Sequence, residues 1–318
     1  RQRQMCIRDS YRPGAWRPVL ELELAEVKTA SWPLQAAGAY VVEEDLLRAW
    51  VKLLDAVMRW GFVKESEYGE RQKQLLGVLA VLRAEEALRS AGRLRRYFPP
   101  DALERHAGML LSPARPEGVS YTYGERLRAH REAGDQVAAM VERLASRPAT
   151  RRAVALTWDF LADPPSADPP CLLVVQGDLS GGVYSQLAYF RSHDAFGAWP
   201  LNAYALLRLM LEVKLGLEAR LGREVKLGNL VIFSASLHVY EHDWGRAQRV
   251  VEENLGEALA AFVRDDKGDF LVRVEGGRIV LELRDPSGAL AFSAEGGSAR
   301  EVLSRLNLSP LMPSHAAY

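Results

Sequence analysis

Long apolar runs are missing from this chain. It contains no stretch of some 18 apolar residues, so no membrane-spanning helix is expected. No secretory leader is visible either. Charge of one sign is not in excess: 41 Lys plus Arg balance 41 Asp plus Glu. That neutrality argues against bulk nucleic-acid binding and leaves only a local basic patch. Cysteine is scarce. Cys6 and Cys171 are the two present, too few for a disulfide framework, and a reducing, cytoplasmic setting is expected. A phosphate-cradling glycine loop and a dinucleotide fingerprint are both lacking, as are internal repeats and low-complexity tracts. What is there is an ordinary globular composition, 48% hydrophobic and 26% charged over 318 residues. The length suits one large domain with appendages, or two domains.

The chain ends read differently from the middle. RQRQMCIRDSYR lacks any helical or strand period and reads as a translated sequencing-adaptor remnant or a disordered terminus, so residues 1–11 are set apart as non-native. Cys171 is then the sole native cysteine. PSHAAY closes the sequence without a helix stop signal, and a truncation is expected there.

Between the ends, hydrophobic periodicity orders the elements. Residues 17–42 mix short apolar runs with a Ser-Trp-Pro break and read as extended. EEDLLRAWVKLLDAVMRW predicts an amphipathic helix ending near Gly61, and QLLGVLAVL is a buried strand or helix. PDALERHAGMLL and DQVAAMVERLAS read as helices, the second with Asp135 near its start and Pro148 beyond its end. AVALTW, CLLVVQGDL and VYSQLAYF read as strands, the last two joined at Ser-Gly-Gly. Residues 201–215 are apolar on nearly every side, the mark of a central buried helix. LGNLVIFSASLHVY is a strand region and WGRAQRVVEENLGEALA a surface helix. FLVRVEG, GRIVLELRD and ALAFSAE predict a small β-meander followed by a helix.

Several residues could carry chemistry, each beside a plainer reading. Cys171 is either a small buried hydrophobe or a nucleophile. A β-hairpin would return Arg191 beside it, supplying the cation a thiolate needs. Arg191 and Ser192 suit a phosphate, a planar fork of donors next to a hydroxyl. Arg151 and Arg152 form a second basic pair or an exposed strand edge. Asn202, at the mouth of the buried helix, is a helix cap or a reader of a pyrimidine edge, since its amide offers one donor and one acceptor face. His238 and Tyr240 share a strand face and could bind a sugar hydroxyl, or be core residues. His238 and His242 lack further ligands, so no metal site is expected. Trp158 and Trp199 floor a pocket or fill the core.

Taken in order, YTYGERL, the Arg151-Arg152 pair, DPPC, RSHD, PLNAY and LHVY resemble the thymidylate synthase family, over roughly residues 121–243. The spacings match as well, 20 residues from Cys171 to Arg191 and 8 from Asp194 to Asn202. The resemblance implies an α/β (α+β) three-layer fold with a mixed, mostly antiparallel sheet and a central buried helix. It implies methylation of dUMP at uracil carbon 5, with Cys171 adding to carbon 6 and a methylene-tetrahydrofolate or related methylene-pterin as co-substrate, without a metal. Arg191 and Ser192 would hold the 5′-phosphate, and Arg151 and Arg152 would reach the phosphate of a neighbouring subunit in a homodimer with shared sites. Asn202 would read the uracil, His238 and Tyr240 the ribose, and Asp194 and Trp199 the pterin side. Neither nucleic acid nor membrane is an implied partner. A pyrimidine nucleotide hydroxymethylase and a non-catalytic nucleotide binder are the alternatives.

The chain departs from the family pattern at Leu172, where histidine is usual, at Phe190, where glutamine is usual, and in the placement of Gly197. The usual N-terminal Arg-Thr-Gly loop and Glu-Leu-Leu-Trp helix are not found. SEYGERQ near residue 66 stands where the loop would be, and Glu104 is the candidate for the missing catalytic glutamate. These departures resemble a divergent, archaeal-type branch. The expected organisation is a divergent N-terminal region over 12–115, a catalytic core over 116–262 and a C-terminal module over 263–318.

Overall fold

Strand β1 (Ala37–Glu43) opens the computed structural model, which describes residues 37–260, 269–285 and 287–306. The adaptor-like segment 1–11, most of the extended stretch 17–42 and the terminal PSHAAY lie outside the described residues. Helix α1 (Leu46–Trp60) follows, and its start is fixed by Asp45, whose carboxylate accepts the Arg48 N–H. It stops at Gly61, where a Cβ would sit 2.4 Å from the Val57 carbonyl oxygen. Strands β2 (Phe62–Glu65) and β3 (Arg71–Arg83) form a hairpin. QLLGVLAVL, open between strand and helix in the sequence, lies in β3, where it pairs with neighbours on both edges.

Helices α2 (Ala84–Ser90), α3 (Ala102–Leu111), α4 (Tyr123–Arg128) and α5 (Gln136–Ser146) come next, the last capped by Asp135 as the sequence suggested. Strands β4 (Val154–Leu156), β5 (Leu172–Ser180), β6 (Val183–Phe190) and the two-residue β7 (His193–Asp194) lead to α6 (Trp199–Leu221). This helix starts two residues before its apolar run, since Pro200 fits the first turn, where no N–H is needed, and it runs six residues beyond it. Gly222, in the left-handed conformation at φ 63°, ends it. Strand β8 (Lys226–Tyr240) and α7 (Trp244–Ala260) complete the larger part. The predicted meander is present as β9 (Asp269–Glu275), β10 (Arg278–Arg284) and β11 (Leu290–Gly296), with α8 (Ala299–Leu306) after it.

One sheet runs in the order β1-β3-β8-β6-β5-β4, with β2 also on β3 and β7 on β8. It is mixed: β1 with β3, β6 with β8 and β7 with β8 are parallel, the remaining pairs antiparallel. Helices α1 and α6 pack directly on the sheet, and α7 and α3 pack in turn on those two, so the layers are sheet, inner helices and outer helices. Alternation along the strands buries Leu82, Leu230, Ile232, Tyr184, Ala188, Val175 and Ala155 on the helix side. The alternate positions form cross-strand rows on the other face, Val81–Val231–Leu187 and Leu79–Phe233–Tyr189. On that face Val154, Leu156, Leu187 and Tyr189 remain 38–40% exposed. Among the described residues this is an apolar sheet surface without a helix over it.

Candidate active site

The β5–β6 hairpin places Leu172 opposite Phe190, which brings the residues just beyond them together. Arg191 N–H donates to the Cys171 carbonyl at 2.9 Å. The Arg191 guanidinium grips the loop before the cysteine, with Nε 2.9 Å from the Pro170 carbonyl oxygen and Nη2 2.8 Å from that of Pro169. Parallel pairing of β7 with β8 sets Asp194 beside His238, and β3 sets Gln74 opposite His238 and Gln72 opposite Tyr240. Trp50 of α1 fastens the segment after β7: its indole N–H donates to the Ala195 carbonyl at 2.7 Å.

A cleft of about 390 Å³ opens between these elements. Its lining includes Cys171, Arg191, Ser192, His193, Asp194 and Asn202, and, from β3 and β8, Gln72, Gln74, Ser236, His238 and Tyr240. Lys64 of β2, Ser66, Glu67 and Tyr68 of the β2–β3 turn, and Tyr123 line it as well. Seven residues singled out in the sequence therefore share one cavity: Cys171, Arg191, Ser192, Asp194, Asn202, His238 and Tyr240. The SEYGERQ turn also stands at this cavity.

Others do not line it, Trp158 and His242 among them. Glu104 is exposed on α3, where its carboxylate accepts from the Tyr204 hydroxyl and from Arg208 Nη1 at 2.6 Å. The Tyr204 bond, ahead of Arg208, holds its pKa below the usual range. Glu104 is thus a surface ion-pair residue, and the carboxylates that line the cleft are Glu67 and Asp194. Trp199, the first residue of α6, is 1% exposed and belongs to the hydrophobic core rather than to the cavity lining. Arg151 and Arg152 are exposed in the turn before β4, away from this chain's own cleft.

Burial dominates the electrostatics. It pushes the Cys171 thiol up; Arg191 opposes this, while Asp168 and Glu67 add to it. Asp194 is also pushed up by burial, against the backbone N–H groups of Phe196 and Gly197 that its oxygens accept at 2.9 and 3.0 Å. His238 is driven down to about 4 by burial, and Tyr240 up to about 12. His238 Nδ1 is buried and has no partner among the described residues.

Asn202 is not a helix cap. It lies within the first turn of α6, its Oδ1 2.7 Å from His106 Nε2 and its Nδ2 3.0 Å from His193 Nε2. Sequence reading gave no individual role to either histidine, nor to Gln72, Gln74, Glu67 and Tyr123, although His193, Tyr123, Glu67 and Gln72 fall inside quoted motifs. Gln72 and Gln74 carried a signal: two amides at alternate positions open a strand that is otherwise apolar on its buried face. His106 carried none, since it reaches Asn202 from a helix 96 residues away.

The thymidylate synthase family profile matches residues 110–266, wider than the window holding the motifs. A protein of Methanosarcina acetivorans, provisionally named thymidylate synthase, is 31% identical over 215 residues, covering 68% of this chain and 95% of its own length. The chain belongs to the thymidylate synthase family. A second relative, from Methanothermobacter marburgensis, carries the same provisional name and is 31% identical over 228 residues, 67% of this chain and 99% of its own length. A third, from Methanopyrus kandleri, is 38% identical over 149 residues, 46% of this chain and 68% of its own. The named relatives are archaeal, in line with the divergent branch the motifs resemble. Among the described residues no helix is long and apolar enough to cross a membrane.

Proposed function

We propose that this thymidylate synthase family chain methylates dUMP at uracil carbon 5, with Cys171 as covalent nucleophile. One observation carries the reading: a thiol, a guanidinium with a neighbouring hydroxyl, an amide and a His–Tyr pair converge on one cleft. Those groups answer the parts of a pyrimidine nucleotide. Arg191 and Ser192 offer donors to the 5′-phosphate, and Asn202 offers both hydrogen-bond faces to the uracil edge. His238 and Tyr240 meet the ribose, the rings 4.9 Å apart and edge to face, and His238 Nδ1 is a buried ring nitrogen without a partner among the described residues.

Cys171 Sγ adds to uracil carbon 6, and the electron pair moves toward carbon 5, which becomes nucleophilic. The free thiol is held protonated by burial, and Arg191 is the adjacent cation that stabilises its thiolate. The co-substrate, a methylene-tetrahydrofolate or a related methylene-pterin, supplies the one-carbon unit and the hydride that reduces it. Asp194 fits a pterin ring, since a carboxyl raised by burial can donate as well as accept. Glu67 replaces Glu104 as the candidate cleft carboxylate for proton handling.

The sheet face left uncovered among the described residues supports a homodimer. Half-exposed Val154, Leu156, Leu187 and Tyr189 are what two copies would bury face to face. Arg151 and Arg152, exposed beside β4, would then enter the cleft of a second copy and add charge to its phosphate subsite.

Tritium release from [5-³H]dUMP, run with folate and methanopterin donors and followed by product identification, tests the reading. Release with a methylated product is expected; a hydroxymethylated product would move the assignment to the hydroxymethylase. No release with either donor from folded protein would sink both. For the shared site, Arg152→Ala mixed with Cys171→Ser should regain part of the activity that each lacks.

A further inference from the structure

We infer that His106 and His193 clamp the Asn202 side chain, fixing which end of its amide meets the pyrimidine and so setting uracil against cytosine. This rests on the dUMP reading above and adds two positioning residues to it.

An asparagine amide has one acceptor end and one donor end, and a half-turn about its last bond exchanges them. Uracil shows a carbonyl oxygen beside an N–H; cytosine shows an amino group beside a bare nitrogen. A freely turning amide satisfies either edge. Discrimination therefore requires something behind the amide that forbids the turn.

The structure holds such a device. Asn202 is 3% exposed yet lines the cleft. His106 of α3, which does not line the cleft, stands 2.7 Å from Oδ1, and His193 of β7, which lines the cleft beside Asn202, stands 3.0 Å from Nδ2. His193 is itself held: its Nδ1 lies 3.0 Å from Ser234 Oγ, and Phe190 stacks on its ring at 3.8 Å between centroids. With Oδ1 accepting, His106 carries its proton on Nε2. With Nδ2 donating, His193 Nε2 is bare, its proton is on Nδ1, and Ser234 Oγ accepts it. Turning the amide over would require both rings to exchange tautomers together. Burial lowers the pKa of both histidines, which keeps each neutral with one donor and one acceptor nitrogen. The Phe190–His193 stack also gives a role to Phe190, one of the positions at which the chain departs from its family.

The test compares dUMP and dCMP binding by calorimetry for the full chain, His106→Gln and His106→Leu. Glutamine keeps an N–H donor at a similar reach; leucine removes it. His106→Gln should retain the dUMP-to-dCMP affinity ratio within about threefold, and His106→Leu should lose at least about tenfold of it. An unchanged ratio in folded His106→Leu would overturn the clamp. Should that variant fail to fold, ¹⁵N NMR of the unaltered protein decides the matter without ligand. His106 protonated on Nε2 and His193 on Nδ1 support the clamp, and tautomer averaging at either ring refutes it. Full-chain protein that binds neither nucleotide would overturn the dUMP reading, while the tautomers still decide the clamp.

Discussion

Acid should weaken this protein through His238, and the size of the effect follows from burial. The ring is 3% exposed and its pKa is held at about 4, first by loss of hydration and then by the nearby Lys64 charge, against a bond to the Ser236 backbone. The unfolded chain carries an ordinary histidine near about 6.5. The native state thus prefers the neutral ring, and acid protonates the unfolded chain first. Stability from this group is intact above about pH 6.5 and is lost as pH falls toward the folded value. At pH 4.5 the unfolded ring is almost fully charged and the native ring mostly neutral, a difference of about 2.5 kcal/mol. Urea unfolding of the unaltered protein and His238→Gln, at pH 7 and pH 4.5, isolates the term. The stability gap between the two proteins should shift by about 2.5 kcal/mol, in favour of the glutamine at acid pH. A gap that stays constant within about 0.5 kcal/mol would refute the burial argument, because other titrating groups cancel in the comparison.

Three further outcomes are expected. Iodoacetamide should alkylate Cys171 slowly at neutral pH, at a rate still rising above the usual thiol range near about pH 8.5, and Arg191→Leu should slow it further; a plateau below neutrality would contradict the burial-dominated thiol. Gly124→Ala should cost about 3 kcal/mol in urea unfolding, because its Cβ would meet the carbonyl oxygens of Ser112, Met109 and Leu110 at 2.1, 2.6 and 2.8 Å; a loss under about 1 kcal/mol would show that the α3–α4 junction gives way. Glu104→Gln should leave kcat within about twofold, as befits an exposed ion pair, and a drop of about a hundredfold would restore Glu104 to the catalytic role the sequence suggested.

Most of the fold was legible where one period dominated. The α1 helix, the β5–β6 hairpin about Gly181-Gly182 and the closing meander all declared themselves through spacing and turn residues. The site was legible where its residues cluster near Cys171 in sequence, since the hairpin alone returns Arg191 to it. What the sequence hid depends on long-range pairing. Gln72 and Gln74 reach the cleft only because β3 pairs with β8, some 165 residues away. His106 backs Asn202 only because α3 packs on α6. Glu104 misled because a carboxylate on a helix near the motif resembles a catalytic one until Arg208 and Tyr204, a turn apart on α6, are seen to hold it. Trp199 misled because its place beside the RSHD segment in sequence does not distinguish a pocket indole from a buried one, and it is 1% exposed in the core.

Covalent capture at Cys171 tests the central claim most directly. Incubation with 5-fluoro-dUMP and a methylene-pterin, followed by intact-mass and peptide mass spectrometry, should give a ternary adduct on the peptide containing Cys171, absent from Cys171→Ser. Folded protein that forms no adduct with either folate or methanopterin donors, or an adduct at another residue, would contradict the account.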